Sequence, residues 1–299
     1  MKQQIKSSLI LLLTATIWGV AFVAQSVGME YIGPFTFNAI RCVLGGMVLI
    51  PVILVLKKKK ETGAENQEKE DKKTLWMGGI ACGVILCIAS NLQQFGIMEA
   101  SVGKSGFFTA LYIVMIPVIG IFIGKRPEIK LWFCVALAVV GMYLLCMKDG
   151  SFTIERADIM LLLCALAFSF HILVVDYFSP KVDGVKMSCI QFFVCGVLSA
   201  AGMLFTETPD ISNIQAAWLP LLYAGLLSCG VGYTLQIVGQ KGINPVIASL
   251  IMSLESVISA LAGWVILGQV LSPKEILGCV LMFVAIIITQ IPIGNKKTD

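Results

Sequence analysis

The sequence predicts an all-α membrane protein, with ten transmembrane helices arranged as two inverted five-helix repeats around a central cavity. Three observations carry that prediction. They are the composition, the length of the apolar runs, and an internal repeat.

The 299-residue chain is 58% hydrophobic and only 13% charged. Soluble domains carry about 25% charged residues. The mean hydropathy of +0.90 and the long charge-free runs belong to the membrane class. The longest polar stretch, 57–73, is expected to be a charged cytoplasmic loop without a core.

A helix needs about twenty apolar residues to cross the hydrocarbon layer. Runs of that size fall at 7–27, 34–56, 75–97, 103–123, 131–147, 157–177, 186–205, 217–239, 245–267 and 274–291. The run at 131–147 is the shortest. The first run follows Lys2 and Lys6, lacks an Ala-x-Ala cleavage site and is too long for a signal peptide, so a retained span is expected. Gly33-Pro34, Asn244-Pro245 and Ser272-Pro273 supply turn chemistry between runs.

Basic residues set the orientation. With the N-terminus in the cytoplasm, seventeen Lys and Arg fall in inside segments and four (Lys104, Lys148, Arg156, Lys274) outside. Both termini are therefore expected in the cytoplasm of a cell whose inner or plasma membrane holds the chain.

A shift of 150 residues aligns Leu11-Leu12-Leu13 with Leu161-Leu162-Leu163, Trp18 with Phe168, Arg41 with Gln191 and Gly46 with Gly196. A shift of 143 aligns Leu92-Gln93-Gln94-Phe95-Gly96 with Leu235-Gln236-Ile237-Val238-Gly239, and one of 144 aligns Ile123-Gly124 with Leu267-Gly268. The repeats are placed at 1–147 and 148–299. Five helices per repeat is odd, so the second enters from the opposite side. Inverted repeats of this kind are an architecture of secondary transporters, with the site near the midplane.

Polar side chains are expensive in lipid and should turn toward a wet interior. The spans at 131–147 and 274–291 carry few of them and are expected to face lipid. The other eight carry more, and seven of them supply the candidates for a cavity: Trp18, Asn38, Arg41, Asn91, Gln94, Tyr112, His171, Gln236 and Glu255. At about 1.5 Å per residue, Glu255 lies roughly 15 Å into its span and Arg41 about 10 Å below the outer face. Both invite a functional reading. Glu255 could instead be a neutral hydrogen-bonded core group, and Arg41 a structural ion-pair partner of Glu99. His171, Gln93, Gln94 and Gln236 could equally be interhelical glue.

Other chemistry finds little support. The lysines are scattered without aromatic interleaving, so no nucleic-acid partner is expected. The ten cysteines form no Cys-x-x-Cys and His171 is the only histidine, so neither a metal nor a disulfide framework is expected. Gly103-Lys104-Ser105 lacks the earlier glycine of a phosphate loop, the place being held by Met98. No HExxH or G-x-S-x-G supports a membrane enzyme. A polytopic sensor or scaffold is the first rival to a transporter, and it lacks a cytoplasmic signalling domain.

The chain resembles the EamA branch of the drug/metabolite transporter superfamily over nearly its whole length. The marks are Trp18-Gly19, then Gly33-Pro34 with Asn38 and Arg41, then the Gln-containing end of the third span. Ala100-Ser101-Val102-Gly103 and Pro117 follow. In the second half, Asn244-Pro245 leads through Ala248-Ser249-Leu250-Ile251-Met252-Ser253-Leu254-Glu255 to Leu267-Gly268. Many members have Pro where this chain has Ser256, and Glu where it has Gln269. Without that Pro the ninth span is expected to be straighter. The resemblance implies a ten-helix inverted repeat that moves small metabolites such as amino acids, usually outward. The expected partners are a small-molecule substrate, possible protons and the lipid bilayer. No cofactor is expected.

Overall fold

A computed structural model of the chain describes residues 2–62, 71–100, 102–124, 127–146, 155–267 and 271–291. Residues 63–70 of the loop 57–73, Ser101, Lys125-Arg126, the junction between the expected repeats, Gly268-Gln269 and the C-terminal lysines lie outside the described residues.

The described residues form helices and turns and no strand. The helices are α1 (Lys2–Gly28), α2 (Pro34–Thr62), α3 (Lys72–Glu99), α4 (Val102–Ala110), α5 (Tyr112–Phe122), α6 (Ile129–Cys146), α7 (Arg156–Phe178) and α8 (Gly184–Thr206). After them come α9 (Ile211–Ala216), α10 (Trp218–Leu222), a π-helical stretch (Tyr223–Tyr233), α11 (Thr234–Gln240), α12 (Pro245–Met252), α13 (Glu255–Leu267) and α14 (Pro273–Gln290).

Local chemistry fixes the starts. Pro245 and Pro273 sit in the first turns of α12 and α14, where the missing N–H would have no intrahelical partner. Asn244 accepts from the backbone N–H of Val246, and Ser272 with Glu275 forms a capping box. Asp71 and Asp183 cap α3 and α8 in the same way. The start of α2 is capped from a distance. Glu207, just after α8, accepts from the N–H groups of Phe35 at 2.9 Å and Thr36 at 2.8 Å. A carboxylate at a helix N-terminus also meets the positive end of the helix dipole.

Nine helical stretches among the described residues are long and apolar enough to cross a membrane. The apolar helix Ile129–Leu145 is shorter than these. Large side chains such as Leu54, Val55, Phe122, Leu204, Phe205 and Val265 stand exposed around the bundle, where only lipid suits them. The chain is a multi-pass membrane protein.

Two of the expected spans are not continuous rods. The span at 103–123 breaks at Leu111, between α4 and α5. The span at 245–267 breaks at Ser253-Leu254, between α12 and α13. No proline stands at this interruption. Serine does the work instead. The hydroxyls of Ser249, Ser253 and Ser259 each turn back onto the carbonyl three residues earlier, at 2.8 Å. Such bonds compete with the helix ladder.

Glycines let helices cross closely. A Cβ on Gly278 would lie 2.5 Å from the carbonyl oxygen of Gly141, which brings α6 and α14 into backbone contact. These two helices pack mainly on each other and turn Phe133, Val140, Ile276 and Ile287 outward. Between α2 and α8 the contacts are reciprocal: Gly46 faces Phe193, and Gly196 faces Val43. The helix α3 packs on α7 and α8, while α1 packs on α13 and the π-helical stretch.

Candidate functional site

A cavity with an empty volume of about 420 Å³, its mouth included, lies among the helices. From α1 it is lined by Trp18, Phe22 and Gln25, and from α2 by Arg41. Gln93, Thr109 and Tyr112 come from α3, α4 and α5. Phe168 and Ile172 of α7 form one wall. Ser228, Tyr233, Gln236 and Glu255 complete it.

The two helix breaks place its acidic end. Tyr112 opens α5 and Glu255 opens α13, so each heads the second segment of a broken span. The Tyr112 hydroxyl donates to Oε1 of Glu255 at 3.1 Å. Glu255 is buried, with 4% of its surface exposed. Gly19 makes room beside it, because a Cβ there would lie 2.8 Å from the Glu255 carbonyl oxygen.

The basic end is Arg41, 2% exposed. Its guanidinium donates to Oε1 of Gln25 at 2.8 Å and lies over the Phe37 ring, 5.6 Å from the centroid. Its Nε has no hydrogen-bond partner among the described residues. Glu99, considered from the sequence as an ion-pair partner, is exposed, and the Arg41 bond goes to Gln25 instead. An amide near the end of α1 reaches this arginine more readily than a carboxylate in the last turn of α3.

Aromatic rings line the cavity as well. Trp18 and Tyr233 lie 4.6 Å apart between centroids, and the Trp18 indole N–H donates to the Ser228 carbonyl at 3.4 Å. Gly232 is needed there, since a Cβ would lie 2.8 Å from the indole nitrogen. Gln93 donates to Thr109 at 3.5 Å.

Of the residues expected from sequence, Trp18, Arg41, Tyr112, Gln236 and Glu255 meet in the cavity. Asn38, Asn91, Gln94 and His171 are not among its lining residues. Asn38 donates to Asn91 at 2.9 Å, and Asn91 donates to Ser199 at 3.0 Å and to the Cys87 carbonyl at 2.8 Å. These bonds tie α2, α3 and α8 together. His171 bonds to Gln191 at 3.0 Å, behind the rings of Phe168 and Tyr233. Gln94 is wholly buried in α3. The sequence marks Gln93 only as interhelical glue, and it does not set Gln25, Thr109 or Tyr233 apart from other polar residues of the apolar runs. It gave no signal for Phe22, Phe168, Ile172 or Ser228, which look like ordinary core in an apolar run.

Comparison with known proteins agrees with a transport protein. The EamA-like transporter family matches twice, at residues 5–147 and 155–291. The chain belongs to that family, in keeping with the drug/metabolite transporter superfamily. An uncharacterized transporter of Archaeoglobus fulgidus is 27% identical, over 94% of this chain and 84% of that protein. The uncharacterized transporter YwfM of Bacillus subtilis is 23% identical, over 97% of this chain and 96% of its own. A solved crystal structure superposes with a TM-score of 0.77 at 17% identity, covering 95% of this chain and 96% of that one. At that identity the likeness speaks for the fold alone.

Proposed function

We propose that the chain is a secondary active transporter that exports a small metabolite, such as an amino acid, by alternating access, and is not an enzyme. The observation that carries this reading is the cavity itself. It is enclosed by helices from both family matches and holds a buried arginine and a buried carboxyl group amid aromatic rings. Arg41 holds an anionic group of the substrate, or gates one side. Glu255 binds a substrate amine or exchanges a proton, and Tyr112 positions it. Trp18 and Gln236 line the path. Asn38, Asn91 and His171 belong to the same apparatus as supports whose bonds hold the cavity helices, and Gln94 belongs to it as a buried residue of α3.

Ten spans, counting the short α6, form two inverted repeats at 1–147 and 148–299. The reciprocal contacts support this. Phe193 on Gly46 and Val43 on Gly196 exchange with each other under the 150-residue shift. Both termini lie in the cytoplasm of a cell whose inner or plasma membrane holds the protein.

The test is flux. Purified protein in proteoliposomes should release a radiolabelled mixture of L-amino acids faster than empty liposomes. Arg41→Ala should cut that release at least tenfold, and Arg41→Lys should restore part of it, because a point charge replaces a planar fork. Normal release by a well-folded Arg41→Ala protein removes Arg41 from the site.

A further inference from the structure

We propose that the π-helical stretch Tyr223–Tyr233 is a one-residue insertion into an otherwise matching half, and that it anchors Trp18 at the cavity and sets Gln236 there as the acceptor for a ligand. The inference rests on the inverted repeat and deepens the transport reading.

Glycine contacts identify equivalent positions on α3 and on the π-helical stretch with α11. A Cβ on Gly83 would meet the Val194 Cβ at 2.6 Å and the Gln191 carbonyl at 2.8 Å. One on Gly225 would meet the Leu44 Cβ at 2.8 Å and the Arg41 carbonyl at 3.2 Å. Val194 and Gln191 lie 150 residues after Leu44 and Arg41, so Gly83 and Gly225 are equivalent. Farther along, Gly96 meets Leu161 and Gly239 meets Leu11, which are again 150 residues apart. Gly83 and Gly96 are thirteen residues apart, whereas Gly225 and Gly239 are fourteen apart.

Both segments are thus pinned at both ends to equivalent partners, and one has a residue more. The helix α3 runs through its segment as a regular α-helix. The longer segment absorbs its extra residue by widening to i→i+5 bonding, which is how single π-turns arise within α-helices, often at functional sites.

Of the π-helical stretch, Ser228 and Tyr233 line the cavity. The Ser228 carbonyl accepts from the Trp18 indole, and the Gly232 carbonyl accepts from the Thr14 hydroxyl at 3.4 Å. Phe168, the counterpart of Trp18, has no donor to offer. Gln236, the counterpart of Gln93, lines the cavity with an Oε1 that has no partner among the described residues, whereas Gln93 is engaged with Thr109. The Gln236 Oε1 is thus the acceptor left for the donor end of a ligand, such as an ammonium group.

Deleting one residue from the π-helical stretch should let it close into an α-helix with both ends still seated. Leu227, 43% exposed, is the residue to delete, and Ile88, 53% exposed in α3, is the control. For the full-length protein in detergent, deletion of Leu227 should leave the melting temperature within about 5 °C of wild type, and deletion of Ile88 should lower it by more than about 10 °C. In proteoliposomes the Leu227 deletion should lose at least tenfold in release of the labelled L-amino acid mixture. Equal loss of stability in the two deletions overturns the insertion, and wild-type release by the Leu227 deletion overturns its part in the site. If wild type itself releases nothing beyond empty liposomes, the transport reading fails, while the melting comparison still decides the insertion.

Discussion

Glu255 and Arg41 are buried ionisable residues on different helices, and each is met by a neutral partner, Tyr112 and Gln25. A buried ionised group costs several kcal/mol unless hydrogen bonds or water compensate it. Gln25→Ala removes one bond from the guanidinium and should destabilise the protein by about 1–3 kcal/mol, read as a lower melting temperature in detergent. An unchanged melting temperature would show that the bond contributes nothing. Polar residues were legible in the sequence because each stood out in an apolar run. Their roles were less so. Asn38 donates to Asn91 across α2 and α3, which no spacing along one helix reveals. Phe22 and Phe168 were missed for the opposite reason, since a ring on a cavity wall and a ring in a core look alike in sequence.

At the scale of helices, the apolar runs and their Pro-marked starts were readable because length and first-turn chemistry are local properties. The break at Ser253-Leu254 was not, because serine bends a helix only where its hydroxyl takes up a carbonyl. The π-helical stretch left a trace in the repeat, a register that slips by one residue between Gly83 and Gly96, but only the contacts show which positions correspond. Helix crossings make separate predictions. Gly278→Ala places a methyl 2.5 Å from the Gly141 carbonyl oxygen and 2.7 Å from the Leu145 nitrogen, all backbone. The helices α6 and α14 must then separate, at a cost of about 1–3 kcal/mol. Gly106→Ala meets nothing nearer than the Ser259 hydroxyl at 3.5 Å and should be tolerated. Melting temperatures of the two variants check this, and equal losses would contradict the crossing as described.

In the whole molecule, a membrane bundle of the EamA-like transporter family encloses a cavity that holds the buried carboxyl group of Glu255. The seventeen-to-four bias of basic residues predicts that reporters fused after Lys60 and after Lys297 both signal cytoplasm, and a periplasmic signal at either would overturn the orientation or the ten-span count. The central claim is coupled transport through that cavity. Glu255→Gln keeps the shape of the side chain, and an acceptor for Tyr112, while removing its proton. The most direct measurement is release of a labelled L-amino acid mixture from proteoliposomes, with and without an imposed pH gradient, for wild type and Glu255→Gln. Release by wild type should respond to the gradient, and release by the variant should not. An equal response in both would contradict Glu255 as the coupling residue, and no release by wild type under either condition would contradict transport of these substrates.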